Sequence, residues 1–138
     1  MKSSRIIILS IIVLLLCGYN CSKSEPYPSD QMLIDRFTAS ESSFTALSQD
    51  PQNSELLSQL GITYSTSPPG DAAAHLFIVW RKDLVGPGGF SKGYYYCNEK
   101  PSRIVDSIDD IYESTPSEQC EVFRPIKGSW YLYYSASN

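Results

Sequence analysis

The sequence predicts an α+β fold in which N-terminal helices pack on one face of an antiparallel sheet of about five strands. Helical periodicity of the apolar residues is confined to residues 29–61. After residue 61, short apolar segments alternate with clusters of turn residues, which is the pattern of strands. Helices in one part of the chain and strands in the other are typical of the α+β class.

Two helices are predicted before the first strand. The apolar stripe of the first helix has spacings of four, seven and three residues and consists of Leu33, Phe37, Phe44 and Leu47. Ser29 or Asp30 is the expected cap, because either side chain accepts a hydrogen bond from a free backbone N–H. The second helix lies in "DPQNSELLSQLG", with Asp50 as the expected N-cap, Pro51 in the first turn and Gly61 as the stop.

Five segments predict strands, namely "GITYS", "HLFIVWR", "KGYYYC", "CEVFRPI" and "SWYLYYS". In the second segment, strict alternation places Leu76, Ile78 and Trp80 on one face. Phe77 and Val79 then lie on the other face, so the strand is apolar on both sides and is expected to be central. The last two segments are expected to form a hairpin whose turn is "KG".

The chain begins with "MKSSRIIILSIIVLLLC", a short basic head followed by an apolar run from Ile6 to Leu16. This profile is typical of a secretory signal peptide, and the run is shorter than the ~20 apolar residues that a spanning helix needs. We therefore predict a signal peptide at residues 1–20, a flexible tether at 21–30 and a single α+β domain at 31–138. The tether is polar and contains two prolines, so an extended conformation is expected.

Cys21 directly follows the predicted signal peptide, and this segment resembles the lipobox of bacterial lipoproteins. The resemblance implies that the Cys21 thiol receives a diacylglyceryl group and anchors the chain to a membrane. Cys17 as the acceptor and ordinary cleavage near Gly18 are the alternatives. In a Gram-negative host, Ser22 after the cysteine implies an outer-membrane lipoprotein that faces the periplasm, and the alternative is a soluble periplasmic protein.

The charge of the chain excludes one class of partner. The formal net charge is −4, and removal of the signal peptide, which holds two basic and no acidic residues, makes it about −6. An acidic domain repels phosphate backbones and anionic lipid surfaces. No nucleic acid partner is therefore expected, and membrane attachment is expected only through the N-terminal lipid.

Two more cysteines, Cys97 and Cys120, lie in the predicted domain. Export to an oxidising compartment allows a disulfide between them, since Cys97 ends one predicted strand and Cys120 begins another. Two buried free thiols are the alternative. Neither cysteine has a second Cys or His two to four residues away, so no metal site is expected.

Three strings, "FSKGYYYC", "RIVDSIDD" and "VFRPIKGSWYLYY", together resemble a group of small uncharacterised bacterial envelope lipoproteins. That group has a Leu-Ile-x-x-Phe helix, a Ser-Lys-Gly-Tyr-x-Tyr strand and a closing Trp-Tyr-Leu-Tyr-Tyr strand. The matching positions here are Leu33, Ile34, Phe37, Ser91, Lys92, Gly93, Tyr94, Tyr96 and residues 130–134. The resemblance implies an envelope location and this type of fold, implies no activity, and does not include Cys97 or Cys120.

Aromatic residues are concentrated in two predicted strands. Alternation places Tyr131 and Tyr133 on the face opposite Trp130. If the helices cover the other face, these two side chains and Tyr95 are exposed to water and form a candidate binding surface, because tyrosine buries a large area at little entropic cost. Cross-strand aromatic pairs that only stabilise the sheet are the alternative.

No catalytic, metal or cofactor site is predicted. The one histidine, His75, begins a predicted strand and has no acid or nucleophile near it in the sequence. The carboxylates of Asp106, Asp109 and Asp110 lack the ligand spacing and the glycine of a calcium-binding loop. The glycines of "VGPGGFSKG" fit neither a Walker loop nor a dinucleotide-binding motif.

These observations predict a non-enzymatic envelope protein that acts by binding another protein through its sheet face or its acidic loop. One form of this hypothesis is an immunity protein that neutralises a toxin delivered to the periplasm, and it rests on analogy. The alternatives are a module that binds glycan or peptidoglycan and a hydrolase whose residues are not assigned.

Overall fold

The computed structural model of the chain describes residues 26–86, 88–114 and 119–137. Its elements, in chain order, are α1 (Asp30–Ala39), α2 (Glu41–Gln49), α3 (Ser54–Gln59), β1 (Tyr64–Thr66), β2 (His75–Asp83), β3 (Gly89–Tyr96), α4 (Ile108–Ser114), β4 (Cys120–Lys127) and β5 (Trp130–Ser137). The strands form one five-stranded sheet in the order β1-β2-β3-β5-β4, with every neighbouring pair antiparallel. The predicted α+β class is therefore confirmed.

The predicted first helix is divided into α1 and α2 at Ser40. Ser29 caps α1, since its hydroxyl accepts the backbone N–H of Met32 at 3.2 Å. The apolar stripe continues across the break, and all four predicted members are buried: Leu33, Phe37, Phe44 and Leu47. The break at Ser40 therefore leaves the buried face of the stripe intact.

The helix before the sheet begins later than predicted. Asn53, and not Asp50, is the N-cap of α3, and its side chain accepts the N–H of Leu56 at 3.1 Å. Gly61 follows this helix with φ +68°, a left-handed conformation in which glycine is favoured. The prediction of Gly61 as the stop is thus confirmed.

The main core lies between the helices and one face of the sheet. The fully buried side chains on the sheet side include Phe77, Tyr94, Leu132 and Tyr134. The hydroxyl of Tyr94 donates to the carbonyl of Leu33 at 2.9 Å, which ties α1 to β3 inside the core. Burial raises the pKa of Tyr94, so the hydroxyl keeps its proton and its role as a donor.

A β-bulge in β2 changes the faces that alternation predicts. Ile78 pairs with Gly93, and the next paired residue of β2 is Trp80, so Val79 is an extra residue. Trp80 consequently lies on the helix side, where its ring meets the ring of Tyr27 edge-on with the centroids 5.2 Å apart. The prediction that Trp80 shares a face with Ile78 is wrong, because strict alternation does not hold across a bulge.

The two cysteines of the domain are free thiols at opposite ends of the sheet. The N–H of Cys97 donates to the carbonyl of Ser129, just before β5 begins, whereas Cys120 pairs with Ala136 near the end of β5. At ~3.3 Å per residue these places are about 20 Å apart, and a disulfide requires Cα atoms within ~7 Å. Cys97 also packs on the sheet face opposite the one that Cys120 contacts. The predicted Cys97–Cys120 disulfide is therefore wrong.

The polar segment before β4 contains a helix that the sequence did not predict. Ile108 begins α4 and is fully buried in the main core. Ahead of it, Ile104 forms an isolated parallel bridge with Phe123 of β4, which holds the loop after β3 against the edge of the sheet. Both contacts place this segment beside β4.

Candidate functional site

The tyrosines of the predicted binding surface lie on the expected face, away from the helices, but two of them are buried. Tyr131 and Tyr133 keep 9% and 7% of their surface exposed, and Tyr95 is half-buried. The prediction that Tyr131 and Tyr133 are exposed to water is therefore wrong. These two side chains are not a binding surface in this structure.

Aromatic packing explains the burial. The ring of Tyr95 lies 4.9 Å from that of Phe123 and 6.5 Å from that of Tyr133, and Ala74 and Ile104 pack over the same group. The hydroxyl of Tyr133 donates to Glu121 at 3.2 Å. Burial raises the pKa of Tyr133 to about 12, so this hydroxyl stays protonated at neutral pH. The group therefore acts as the cross-strand stabilisation that the sequence left as the alternative.

The other end of the same face is open and forms a cleft of about 330 Å³, here called the open cleft. Its lining comes from β1, β2, β3, the end of β5 and the residues just before β1 and β3: Thr63, Tyr64, Leu76, Ile78, Arg81, Gly88, Gly89, Phe90, Ser91 and Ser137. The face is open here because Gly89 has no side chain and the side chains of Ser91 and Ser137 are small. Sequence analysis did not single out this site.

One exposed aromatic ring and one exposed cation border the open cleft. Tyr64 is 57% exposed, more than any other aromatic side chain in the described part of the chain. Arg81 donates from Nε to Asp83 at 2.8 Å, with both side chains about 70% exposed (69% and 71%). An exposed pair of this kind adds little stability, and it uses one of the five N–H donors of the guanidinium. Arg81 therefore has donors left for a ligand.

The open cleft also borders the edge of the sheet. β1 is the terminal strand and pairs with β2 alone, through Tyr64↔Ile78, Ser65↔Phe77 and Thr66↔Leu76. An edge strand presents backbone groups to which an extended peptide can add as a further strand. Backbone groups, an aromatic ring and a cation are thus available within one site.

A second feature, here called the charge cluster, is buried under the helices. Lys92 of β3 is fully buried and Asp30 is 2% exposed. The Nζ atom of Lys92 lies 2.6 Å from Oδ1 of Asp30 and 2.7 Å from Oδ1 of Asp109, and it donates to the hydroxyl of Tyr27 at 2.9 Å. A buried ammonium with two carboxylates and a hydroxyl has the partners that a buried charge requires.

Asp30 connects four parts of the fold within the charge cluster. Its Oδ2 atom accepts the N–H of Ile108 and Nη1 of Arg124, each at 2.8 Å, and its own N–H donates to Asp109 at 2.8 Å. Burial acts to raise the pKa of Asp30, but the hydrogen bonds from Lys92 and Arg124 outweigh it and hold this pKa below its usual range. Asp30 is therefore ionised at neutral pH and fixes the starts of α1 and α4 to β3 and β4.

The contacts of the charge cluster show that packing begins before residue 31, the predicted start of the domain. Tyr27 stacks on Tyr112 with ring centroids 4.0 Å apart, and Lys92 Nζ lies 4.3 Å from the centre of the Tyr27 ring. Pro28 is buried as well. The predicted tether reached residue 30, and this boundary is wrong because residues 27–30 are packed. Cys21, the predicted lipid acceptor, lies outside the described residues.

The predicted acidic loop is partly structural. Asp109 belongs to the charge cluster, and the N–H of Asp110 donates to the hydroxyl of Ser107 at 3.1 Å at the start of α4. Within the described ranges, no group of three or more His, Cys, Asp and Glu side chains could hold a metal ion. The part of this loop that is free to bind a partner is smaller than the sequence suggested.

His75 has a neighbour that is distant in sequence, since its Nδ1 lies 3.1 Å from the hydroxyl oxygen of Ser67. Partial burial lowers the pKa of His75, and the charge of Asp71 acts in the opposite direction. The Asp71 carboxylate accepts the N–H groups of Ala73 and Ala74 at 3.0 and 3.2 Å, so it closes the loop before β2. This contact at the surface pairs one hydroxyl with one imidazole and does not form a three-residue catalytic arrangement.

Comparison with known proteins finds no protein family, no curated protein and no solved structure that matches the chain. In the part of the chain that the structure describes, no helix has the length and apolar character needed to cross a bilayer. Export, acylation of Cys21 and an envelope location stay predictions.

Proposed function

We propose that this protein is exported, is attached to the outer membrane by a lipid on Cys21 and faces the periplasm. It acts there without enzymatic activity, by binding an extended segment of another envelope protein in the open cleft. The observation that carries the binding function is the exposure of Tyr64, at 57%, beside a cleft on a sheet in which every tyrosine of β5 is buried. Tyrosine is one of the residues enriched at binding hot spots, so Tyr64 can serve as the central contact of an interface.

The geometry of β1 favours a peptide as the ligand. A segment added to the outer edge of β1 would form backbone hydrogen bonds and would place alternate side chains over the open cleft. The register puts Tyr64 beside Ile78 and Thr66 beside Leu76, so the cleft offers an apolar area for one such side chain. Arg81, on the same face, favours an acidic side chain in the bound segment.

The position of the packed domain favours a partner in the same envelope layer. Tyr27, the first packed residue among those that the structure describes, is six positions after Cys21, so the chain between them spans at most about 20 Å. A lipid on Cys21 would hold the domain beside its membrane. Two classes of partner fit this position: a resident envelope protein and, if the protein confers immunity, an incoming toxin.

A saccharide is the second candidate ligand. Ser91 and Ser137 bring hydroxyl groups to the open cleft, and Tyr64 brings a ring on which a sugar can stack. These groups support the glycan or peptidoglycan hypothesis.

Photo-crosslinking from position 64 tests the proposed binding. A benzoylphenylalanine replaces Tyr64 in intact cells, and a matched control carries it in place of Met32, which is 44% exposed on α1. We expect one specific protein adduct from position 64 and none from position 32. Once the captured protein is purified, Tyr64→Ala should weaken the affinity between the two proteins about thirtyfold, and Met32→Ala should not change it. The thirtyfold change corresponds to a loss of ~2 kcal/mol of binding free energy, as for a tyrosine at a hot spot.

Two outcomes would contradict the protein-binding function. Identical adducts from both positions would show that the open cleft has no specific partner. Retention of the protein on purified peptidoglycan, lost in Tyr64→Ala, would replace the protein ligand with a glycan.

A further inference from the structure

We infer that the tip of the β2–β3 hairpin is a second membrane contact, in which Leu84 and Val85 enter the surface of the bilayer that carries the Cys21 lipid. This inference rests on the proposed acylation of Cys21. Val85 is fully exposed, at 110% of the reference surface, and its neighbour Leu84 is 38% exposed. Among the described residues these two are the only large exposed apolar side chains that are adjacent in sequence, the others being Met32 and Tyr64.

The hairpin tip lies at the end of the domain where the N-terminal segment arrives. Pro26 and Tyr27 share a cleft of about 470 Å³ with Arg81, Lys82 and Asp83, the residues of β2 that directly precede the tip. The edge-on contact between Tyr27 and Trp80 fixes this arrangement. Pro26, the first residue that the structure describes, is therefore beside the base of the hairpin.

The length of the tether then limits how far the tip can be from the lipid. Five positions separate Pro26 from Cys21, which corresponds to at most about 17 Å of extended chain. A bilayer that holds a lipid on Cys21 lies within this distance of the base of the hairpin. Leu84 and Val85, at the tip of this hairpin, lie at the same end of the domain.

The charges near the tip favour an apolar contact with the bilayer over an electrostatic one. Arg81 and Asp83 pair at 2.8 Å, which leaves Lys82 as the unbalanced charge of the hairpin. The predicted mature chain carries about −6, so anionic lipid would not attract it. Two aliphatic side chains bind membranes weakly, but once the lipid has brought them to the surface their insertion is an intramolecular step and needs little affinity.

Insertion of the tip would also orient the domain. Gly88 and Gly89 line the open cleft and follow the tip in sequence, so the cleft would lie beside the lipid surface. The segment that the cleft binds would then be a membrane-proximal segment of the partner.

Quenching by brominated lipid tests the contact. The chain from residue 21 onward, with Cys120→Ser, is coupled through Cys21 to vesicles of phosphatidylcholine that contain a maleimide lipid, since Cys97 is buried. A tryptophan is introduced by Val85→Trp or, as the matched control, by Glu99→Trp at an exposed position beyond the other end of β3. An eight-residue strand places the two sites about 25 Å apart.

We expect brominated phosphatidylcholine to reduce the emission of the indole introduced by Val85→Trp about twofold, once the emission of the chain without the new tryptophan has been subtracted. The reason is that an inserted side chain lies about 5–10 Å deep, at the boundary between headgroups and acyl chains. The indole introduced by Glu99→Trp should be unaffected. No quenching at either position, or equal quenching at both, would overturn the inference. Chemical coupling makes this result independent of acylation in cells, so a failure of the tip contact and a failure of the proposed anchor are distinguishable.

Discussion

Gly93→Ala is expected to destabilise the protein by about 3 kcal/mol or more, or to prevent folding. A Cβ atom at position 93 would lie 2.0 Å from the carbonyl oxygen of Phe77 and 2.9 Å from the Cα of Ile78. Both neighbours are backbone atoms of β2 at the bulge, so they can move only if β2 and β3 separate in the middle of the sheet. The measurement is the free energy of unfolding in urea.

Gly128→Ala is the matched control for this variant. Gly128 has φ +58° in the turn between β4 and β5, and no atom lies within 4 Å of a Cβ built there. Its substitution therefore introduces backbone strain without a clash and should cost about 1–2 kcal/mol. Equal stability losses for Gly93→Ala and Gly128→Ala would contradict the close approach of β2 to β3.

Lys92→Met is expected to destabilise the domain by about 3–5 kcal/mol, although methionine fills much of the same space. The substitution leaves the buried carboxylate of Asp30 with one cation, Arg124, and removes the cation that pairs with Asp109. An unpaired buried charge costs more than the pair itself contributes. Urea unfolding at neutral pH, where Asp30 is ionised, measures the effect.

The double variant Lys92→Met with Asp30→Asn isolates the interaction between the Lys92 ammonium and the Asp30 carboxylate. If the charge of Asp30 is what makes Lys92→Met costly, Asp30→Asn should recover part of the loss, and the two effects should not add. Arg81→Met, which removes a cation from an exposed pair, is the control and should change stability by less than about 1 kcal/mol. An unchanged free energy of unfolding in Lys92→Met, or strictly additive losses in the double variant, would contradict a paired buried charge cluster.

Local spacing explains which parts of the fold were predictable. The helical stripe from Leu33 to Leu47 and the stop at Gly61 depend on residues a few positions apart, and both were predicted. The bulge at Val79 was not, because the register of a strand depends on its partner. Gly93, a glycine among the tyrosines of a strand, was the only local signal of close backbone approach.

Strand order explains the wrong disulfide. The sequence places Cys97 at the end of β3 and Cys120 at the start of β4, which are close together if these strands are antiparallel neighbours. In the structure β5 lies between them and is antiparallel to both, so β3 and β4 run in the same direction. The end of one strand and the start of the other are then at opposite ends of the sheet.

Burial explains what was missed at the site. Alternation gave the correct face for Tyr131 and Tyr133 but could not show that two loops, which carry Ala74 and Ile104, pack against them. Lys92 is two residues from the buried Tyr94, so a cation on an inward face was visible in the sequence and required a carboxylate. The choice of Asp30 and Asp109 as its partners depends on the fold. Tyr64, in the shortest strand, gave no local signal of its exposure.

The intact mass of the protein extracted from the membrane fraction of its cells tests most directly the claim that it acts as an anchored envelope protein. We expect a chain that begins at Cys21, lacks residues 1–20 and carries a diacylglyceryl group on the Cys21 sulfur. An unprocessed chain that still begins at Met1, recovered from the soluble fraction with an unmodified Cys21 thiol, would contradict the proposed location and anchor.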